Sequence, residues 1–152
     1  MIIRIKKIYI KIFIILLIVS GAFLFFKNTN YISLAKSINL YSSEIKELSP
    51  NYLNYSEDSL EYSKRRGDTL LFFAATDWCN TCSALDEEII NNSGDLPDDL
   101  TILKINYDND KNTNKKYFVT MQHTLVLIDS DGNEKTRWVG GDFENLINNL
   151  KN

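Results

Sequence analysis

The chain has 152 residues, 44% of them hydrophobic and 24% charged, the composition of a folded protein with room for one domain of ordinary size. Five of its 17 basic residues (Arg4, Lys6, Lys7, Lys11, Lys27) lie in residues 1–27, where there is no acid; the other 12 face all 20 acidic residues in 28–152, a net charge of −8 there. That acidic balance excludes nucleic-acid binding as the main task, because phosphate needs a basic face. Two cysteines exclude a disulfide-rich scaffold and a four-cysteine zinc site within one chain.

Ile12 to Phe26 is an uncharged run of fifteen residues, IFIILLIVSGAFLFF. As a helix it spans about 22 Å, against a hydrocarbon core of roughly 30 Å. Starting at Ile8 adds a turn if Lys11 snorkels to the headgroups. Basic residues precede the run and Lys27 alone follows it closely, so the positive-inside rule puts the N-terminus in the cytoplasm and the rest across the membrane. Residues 1–27 are therefore expected to be an uncleaved signal-anchor, a single transmembrane helix touching lipid through residues 8–26. The rival reading is a cleaved signal peptide and a secreted product. Ser20-Gly21-Ala22 supplies small residues for it, but the apolar Phe23–Phe26 that follows makes a poor cleavage site. Residues 28–51 are polar and read as a tether, broken by Ser49-Pro50-Asn51.

The domain is expected over residues 52–152. Ser56 can cap a helix running to Arg66, with acids in its first turn and Lys64, Arg65 and Arg66 in its last; Gly67 ends it. Thr69–Thr76 (TLLFFAAT) is a continuous apolar run and reads as a strand buried on both faces. Residues 80–92 read as a helix with Leu85, Ile89 and Ile90 inward, stopped by Asn91-Asn92-Ser93-Gly94. Thr101–Asn106 is a second core strand, residues 109–114 a polar loop and Lys115–Val119 a short helix. Thr124–Asp129 and Glu134–Val139 flank Ser130-Asp131-Gly132-Asn133, a hairpin signal. After Gly140-Gly141, Asp142 caps a last helix with Phe143, Leu146, Ile147 and Leu150 on one face. Helices alternate with strands and a hairpin closes the sheet, which predicts an α/β domain. Asp108-Asn109-Asp110 and Asp129-Ser130-Asp131 lack the glycine and glutamate of a calcium loop and read as turns.

One motif carries chemistry. Trp78-Cys79-Asn80-Thr81-Cys82 ends the buried strand and opens the next helix. A helix N-terminus has partial positive charge and unpaired N–H groups, which bias a thiol toward the nucleophilic thiolate. Cysteines three apart on a first turn can also close a disulfide with each other. Cys79 at the helix edge is expected to be the exposed attacker, and Cys82, one turn in, the buried resolving thiol.

The strand–WCxxC–helix arrangement resembles the thioredoxin family, over roughly Tyr52 to Asn152. FFAATDWCNTC is similar to the family's strand and active-site turn, and the hairpin, Gly140-Gly141 and terminal helix to its last two strands and helix. The resemblance implies a central mixed sheet of four or five strands flanked by helices, and dithiol–disulfide exchange by Cys79 and Cys82 without a cofactor. It implies thiol- or disulfide-containing exported proteins as partners, with a membrane or soluble redox partner to recycle the pair. Trp78 packs beside the cysteines and rims the substrate surface. Three departures stand out. His123, in Met121-Gln122-His123-Thr124-Leu125, stands where the family has a cis-proline facing the cysteines. Phe73 stands five residues before Trp78, where many members carry a buried acid. The dipeptide Asn80-Thr81 has neither the proline of strong reductants nor the histidine of strong oxidants, and leaves the direction of electron flow open. His123 and Thr124 are expected to support the site. As the only histidine in the chain, His123 could pack in a loop, relay protons near Cys79, or join Cys79 and Cys82 as a third N/S ligand to copper or zinc in a metal-handling domain, the alternative function.

Overall fold

The computed structural model describes residues 45–151. The apolar segment 12–26 and the tether up to Glu44 lie outside the described residues. The sheet begins earlier than the sequence suggests: β1 (Glu47–Ser49) lies inside the stretch read as tether and pairs antiparallel with β2 (Tyr52–Asn54). Pro50 and Asn51 turn the chain between them, with Asn51 at φ 60°, a left-handed conformation that asparagine tolerates better than most residues.

Helix α1 (Glu57–Lys64) is fixed at its start by a reciprocal cap: Ser56 Oγ accepts from the Ser59 N–H, and Ser59 Oγ accepts from the Ser56 N–H. Gly67 follows it, and a Cβ there would lie 2.3 Å from the Asp99 carbonyl oxygen. β3 (Asp68–Ala74) is buried from Thr69 onward. Helix α2 (Asn80–Asn91) presents Cys82, Leu85 and Ile89 to the core, whereas Ile90 is exposed, contrary to the inward position expected from sequence. A 3-10 turn (Ser93–Asp95) leads to β4 (Leu100–Asn106).

Helix α3 spans Lys111–Lys116, not Lys115–Val119. Its start is set by Asp110, whose side chain accepts from the Thr113 N–H and hydroxyl; its polar sequence has no apolar period to mark it. β5 (Thr124–Ile128) and β6 (Glu134–Val139) form the hairpin, where Asp129 Oδ1 accepts from the N–H groups of Asp131 and Asn133. Asp142 caps α4 (Phe143–Leu150), which buries Leu146.

Among the described residues the sheet has six strands, two more than the lower and one more than the upper expectation, in the order β1-β2-β4-β3-β5-β6. β2, β4 and β3 are parallel; β5 and β6 run antiparallel to their neighbours. The central strand explains why the apolar run is continuous. Leu70, Phe72 and Ala74 point to one core with Leu85 and Ile89 of α2 and Leu146 of α4. Leu71 and Phe73 point to the other with Leu60 of α1 and Val119. Alternation along β3 thus feeds two layers of helix, as a strand covered on both sides must. Among the described residues no helix is long and apolar enough to cross a membrane.

Candidate active site

The site forms where β3 ends and α2 begins. The strand stops at Ala74, and the Ala75 carbonyl accepts from the N–H groups of Trp78 and Cys79, turning the chain sharply. Ser83 Oγ donates to the Thr76 carbonyl and pins the first turn of α2 to the loop before it. Cys79 is itself the N-cap of α2: its sulfur accepts from the Cys82 N–H at 3.2 Å. Cys79 and Cys82 form a disulfide with Cα atoms 5.2 Å apart. Cys79 keeps 8% of its accessible surface and Cys82 none. Cys79 is therefore the accessible sulfur of the pair, though far less exposed than the sequence reading expected.

The facing wall comes from residues 121–124. His123 is 4% exposed, has φ 57°, and no peptide bond among the described residues is cis. Its backbone is tied on both sides: its N–H donates to the Phe73 carbonyl and its carbonyl accepts from the Gly140 N–H, each at 2.8 Å. A left-handed residue that is not glycine costs roughly 1–2 kcal/mol, and these two bonds hold it there. The imidazole lies 5.7 Å from the Phe72 ring, and its Nδ1 is 3.0 Å from Thr81 Oγ1. Burial lowers the His123 pKa below the ordinary histidine value, with the Gly141 carbonyl opposing the shift. Ligand-type atoms of Cys79, Cys82 and His123 all lie within 4.8 Å of one another. The sequence-predicted residues thus converge.

Thr124 begins β5 and donates its hydroxyl to the Met121 carbonyl, which shapes the wall from behind. Trp78 is 56% exposed and its Nε1 donates to Asp108 Oδ2; it belongs to the rim and not to the packed core. A cleft of about 360 Å³ opens beside the disulfide, lined by Thr81, Ala84, His123, Gly140, Gly141 and Asn145 among others. A larger one of about 420 Å³, between Lys64, Lys116 and Arg137, shares no residue with this cleft and has neither cysteine in its wall.

Two features escaped the sequence reading. Thr81 Oγ1 lies 3.4 Å from Cys79 Sγ as well as 3.0 Å from His123; its place inside the CxxC dipeptide was the available signal. Phe73 does fill the position of the strand acid and is fully buried. An acid instead stands on α2: Asp86, four residues after Cys82, accepts from Lys104 Nζ at 2.6 Å and from the Tyr52 hydroxyl at 2.5 Å. Side chains four apart share a helix face, so Asp86 follows Cys82 toward the sheet. Burial and the Asp86 carboxylate raise the Tyr52 pKa, so Tyr52 stays a proton donor there.

Residues 51–152 match the thioredoxin family model. The chain belongs to the thioredoxin family. Solved structures agree. The protein Trxlp of Edwardsiella tarda is 25% identical with a TM-score of 0.55, over 64% of this chain and 94% of that one. A mutant thioredoxin of Halobacterium salinarum is also 25% identical with a TM-score of 0.55, over 68% of this chain and 91% of that one. Thioredoxin NaTrxh of Nicotiana alata, 22% identical with a TM-score of 0.57 over 70% of this chain and 95% of that one, supports the fold. Comparison with curated proteins finds no match. A thioredoxin fold that holds a CxxC disulfide at a helix N-terminus is a thioredoxin-like disulfide oxidoreductase, and domains of this kind act on thiol or disulfide groups of proteins.

Proposed function

We propose that this thioredoxin-family chain is an extracytoplasmic oxidoreductase, tethered to the cell membrane by residues 8–26, that exchanges its Cys79–Cys82 pair with exported proteins. The observation that carries the chemistry is the disulfide whose accessible sulfur, Cys79, sits at the N-cap of α2 and accepts the Cys82 N–H. In the reducing direction the Cys79 thiolate attacks one sulfur of a substrate disulfide. A Cys79–substrate bond forms and a substrate thiolate leaves. Cys82, having lost its proton, then attacks Cys79 Sγ, closes the 79–82 bond and expels the second substrate thiolate. Two electrons pass from the pair to the substrate, and the reverse sequence oxidises a substrate dithiol. The N-terminal charge and the surviving N–H donors of α2 favour Cys79 as the thiolate. Exposed Trp78 and Met121, one on each chain segment that meets at the disulfide, offer apolar surface to a polypeptide substrate.

The tether rests on the apolar run Ile12–Phe26 and the basic residues before it. The test uses the full chain expressed in a bacterium. Intact cells are reduced and treated with a membrane-impermeant maleimide. Labelling of Cys79 in intact cells, on protein that alkaline carbonate leaves in the membrane fraction, is the expected result. Labelling only after lysis places the domain in the cytoplasm and overturns the topology. The metal-handling alternative needs both sulfurs as thiolates, hence the reduced chain, because in the disulfide the two are bonded to each other. Zinc or copper(I) uptake lost in His123→Ala, by a chain that forms no disulfide at any redox poise, would replace exchange with metal handling.

A further inference from the structure

Cys79 Sγ has two polar neighbours: the Cys82 N–H at 3.2 Å and Thr81 Oγ1 at 3.4 Å. A disulfide sulfur carries no hydrogen and a thiolate carries none either, so a hydrogen bond in this second contact is one the hydroxyl donates. A hydroxyl has one proton to give. When Cys79 is a thiolate its charge makes it the stronger acceptor of that proton; Thr81 Oγ1 then turns a lone pair to His123 Nδ1, 3.0 Å away, and the Nδ1-protonated imidazole supplies the N–H. His123 Nε2, buried with no hydrogen-bond partner, then keeps only a lone pair, which is cheaper to bury unpaired than an N–H. The imidazole hangs from a backbone tied to Phe73 and Gly140, so its place beside Thr81 is set by the sheet.

We propose that Thr81 is a catalytic residue that donates a hydrogen bond to Cys79 Sγ, and that His123 is a positioning residue that orients the Thr81 hydroxyl. The inference rests on the disulfide-exchange reading and names a part of that site outside the CxxC sulfurs. In the disulfide the bond to sulfur is weak. In the dithiol form the same donor meets a thiolate, and charge-assisted bonds of this kind are roughly twice as strong as neutral ones. The arrangement therefore stabilises the reduced form more than the oxidised one. It makes the pair easier to reduce, in the sense that stabilised reduced forms mark the more oxidising members of such couples. His123 strengthens the effect because bonds in a chain polarise one another.

The test is the redox equilibrium of the full chain in detergent micelles with glutathione. Two glutathione thiols give two electrons and two protons; the Cys79–Cys82 bond breaks and the bond of glutathione disulfide forms. Thr81→Val removes the hydroxyl and keeps the shape. It is expected to shift the equilibrium constant about tenfold toward the protein disulfide, which is about 30 mV toward more negative potential for a two-electron couple. Thr81→Ser keeps the donor and is expected to stay within about twofold of the unaltered chain. His123→Ala is expected to shift the constant about threefold in the same direction as Thr81→Val, and to add nothing when combined with it, because it acts through the missing hydroxyl. An unchanged constant in Thr81→Val overturns the proposal, as does a serine variant that behaves like valine. Full additivity of the two changes overturns the positioning role of His123. If the unaltered chain never equilibrates with glutathione, the exchange reading itself fails, an outcome separate from these.

Discussion

The two walls of the redox site are built by different means. The cysteine wall is one turn of α2: Cys79 caps the helix that Cys82 belongs to, and a spacing of three residues alone brings their Cα atoms to 5.2 Å. The facing wall has no such local rule. His123 is left-handed, its N–H is spent on Phe73 of β3 and its carbonyl on Gly140 beyond β6, partners 50 and 17 residues away in the chain. The first wall carries its geometry in its own sequence. The second borrows its geometry from the sheet. Damage to the first should remove chemistry and spare the fold, whereas damage to the second should weaken the fold before it touches the chemistry.

The sharpest break is at the first wall. Cys79→Ser is expected to abolish turnover of an aromatic disulfide followed by absorbance, because the one thiol left, Cys82, is fully buried, while the urea midpoint of the reduced chain stays near that of the unaltered one. Cys82→Ser leaves the attacker and removes the resolving thiol, so the mixed disulfide should accumulate as a stable adduct visible by mass. Adduct formation by Cys79→Ser in place of Cys82→Ser would reverse the two roles.

At the second wall the largest expected loss is from His123→Pro, which would restore the residue usual in the family. Proline has no N–H to give the Phe73 carbonyl and cannot reach φ 57°. The loss of that bond, the stranded carbonyl and the refitting of the loop together should cost about 3 kcal/mol in urea unfolding. An unchanged midpoint would mean that the wall can rebuild itself around proline. Gly141→Ala should cost less, about 2 kcal/mol: φ is 101° there and a Cβ would lie 2.9 Å from the Asn145 Cβ. Gly140→Ala, at φ 77° with open space around the new Cβ, should cost only the left-handed term, about 1 kcal/mol. Equal losses at the two glycines would remove the contact with Asn145 from the explanation.

The same contrast decides what could be read in the sequence. The CxxC turn, the buried strand before it and the capped helices are local patterns, and β3, α1, α2, the hairpin and α4 lie where those patterns put them, within two residues. β1 carries no such pattern: it is three residues long, and only its pairing with β2 makes it a strand. α3 is set by the Asp110 cap on a polar segment, so a search for apolar periodicity slides past it. His123 could be placed opposite the cysteines by position, but its left-handed backbone depends on Phe73 and Gly140 and is invisible in the triplet Gln122-His123-Thr124. Thr81 needed only its neighbour Cys79 to be found, yet the hydroxyl has meaning only once His123 is seen behind it. Asp86 is likewise legible as one turn beyond Cys82, but not as the partner of Lys104 and Tyr52 from two other strands.

A last effect separates the walls by pH. Burial lowers the His123 pKa in the folded state, whereas in the unfolded chain histidine titrates near 6.5. Below about 6.5 the unfolded state therefore takes up a proton that the folded state refuses, and stability falls with acidification until the folded pKa is passed. The slope from this group is at most about 1.4 kcal/mol per pH unit. The hydrogen-bonded carboxylates behave differently. Asp129, held low first by the Asn133 backbone, Glu134, by the Arg137 side chain, and Asp142, by the Asn145 side chain, add stability above the unfolded carboxylate range near 4. They lose it as pH falls below that range. The window between about 6.5 and 5 thus isolates the histidine. Urea midpoints measured across it should drop for the unaltered chain and stay flatter for His123→Asn, chosen because asparagine accepts the left-handed backbone. Identical slopes would mean that the imidazole is as free to charge in the fold as in the unfolded chain, and the second wall would then be open to water where the structure closes it.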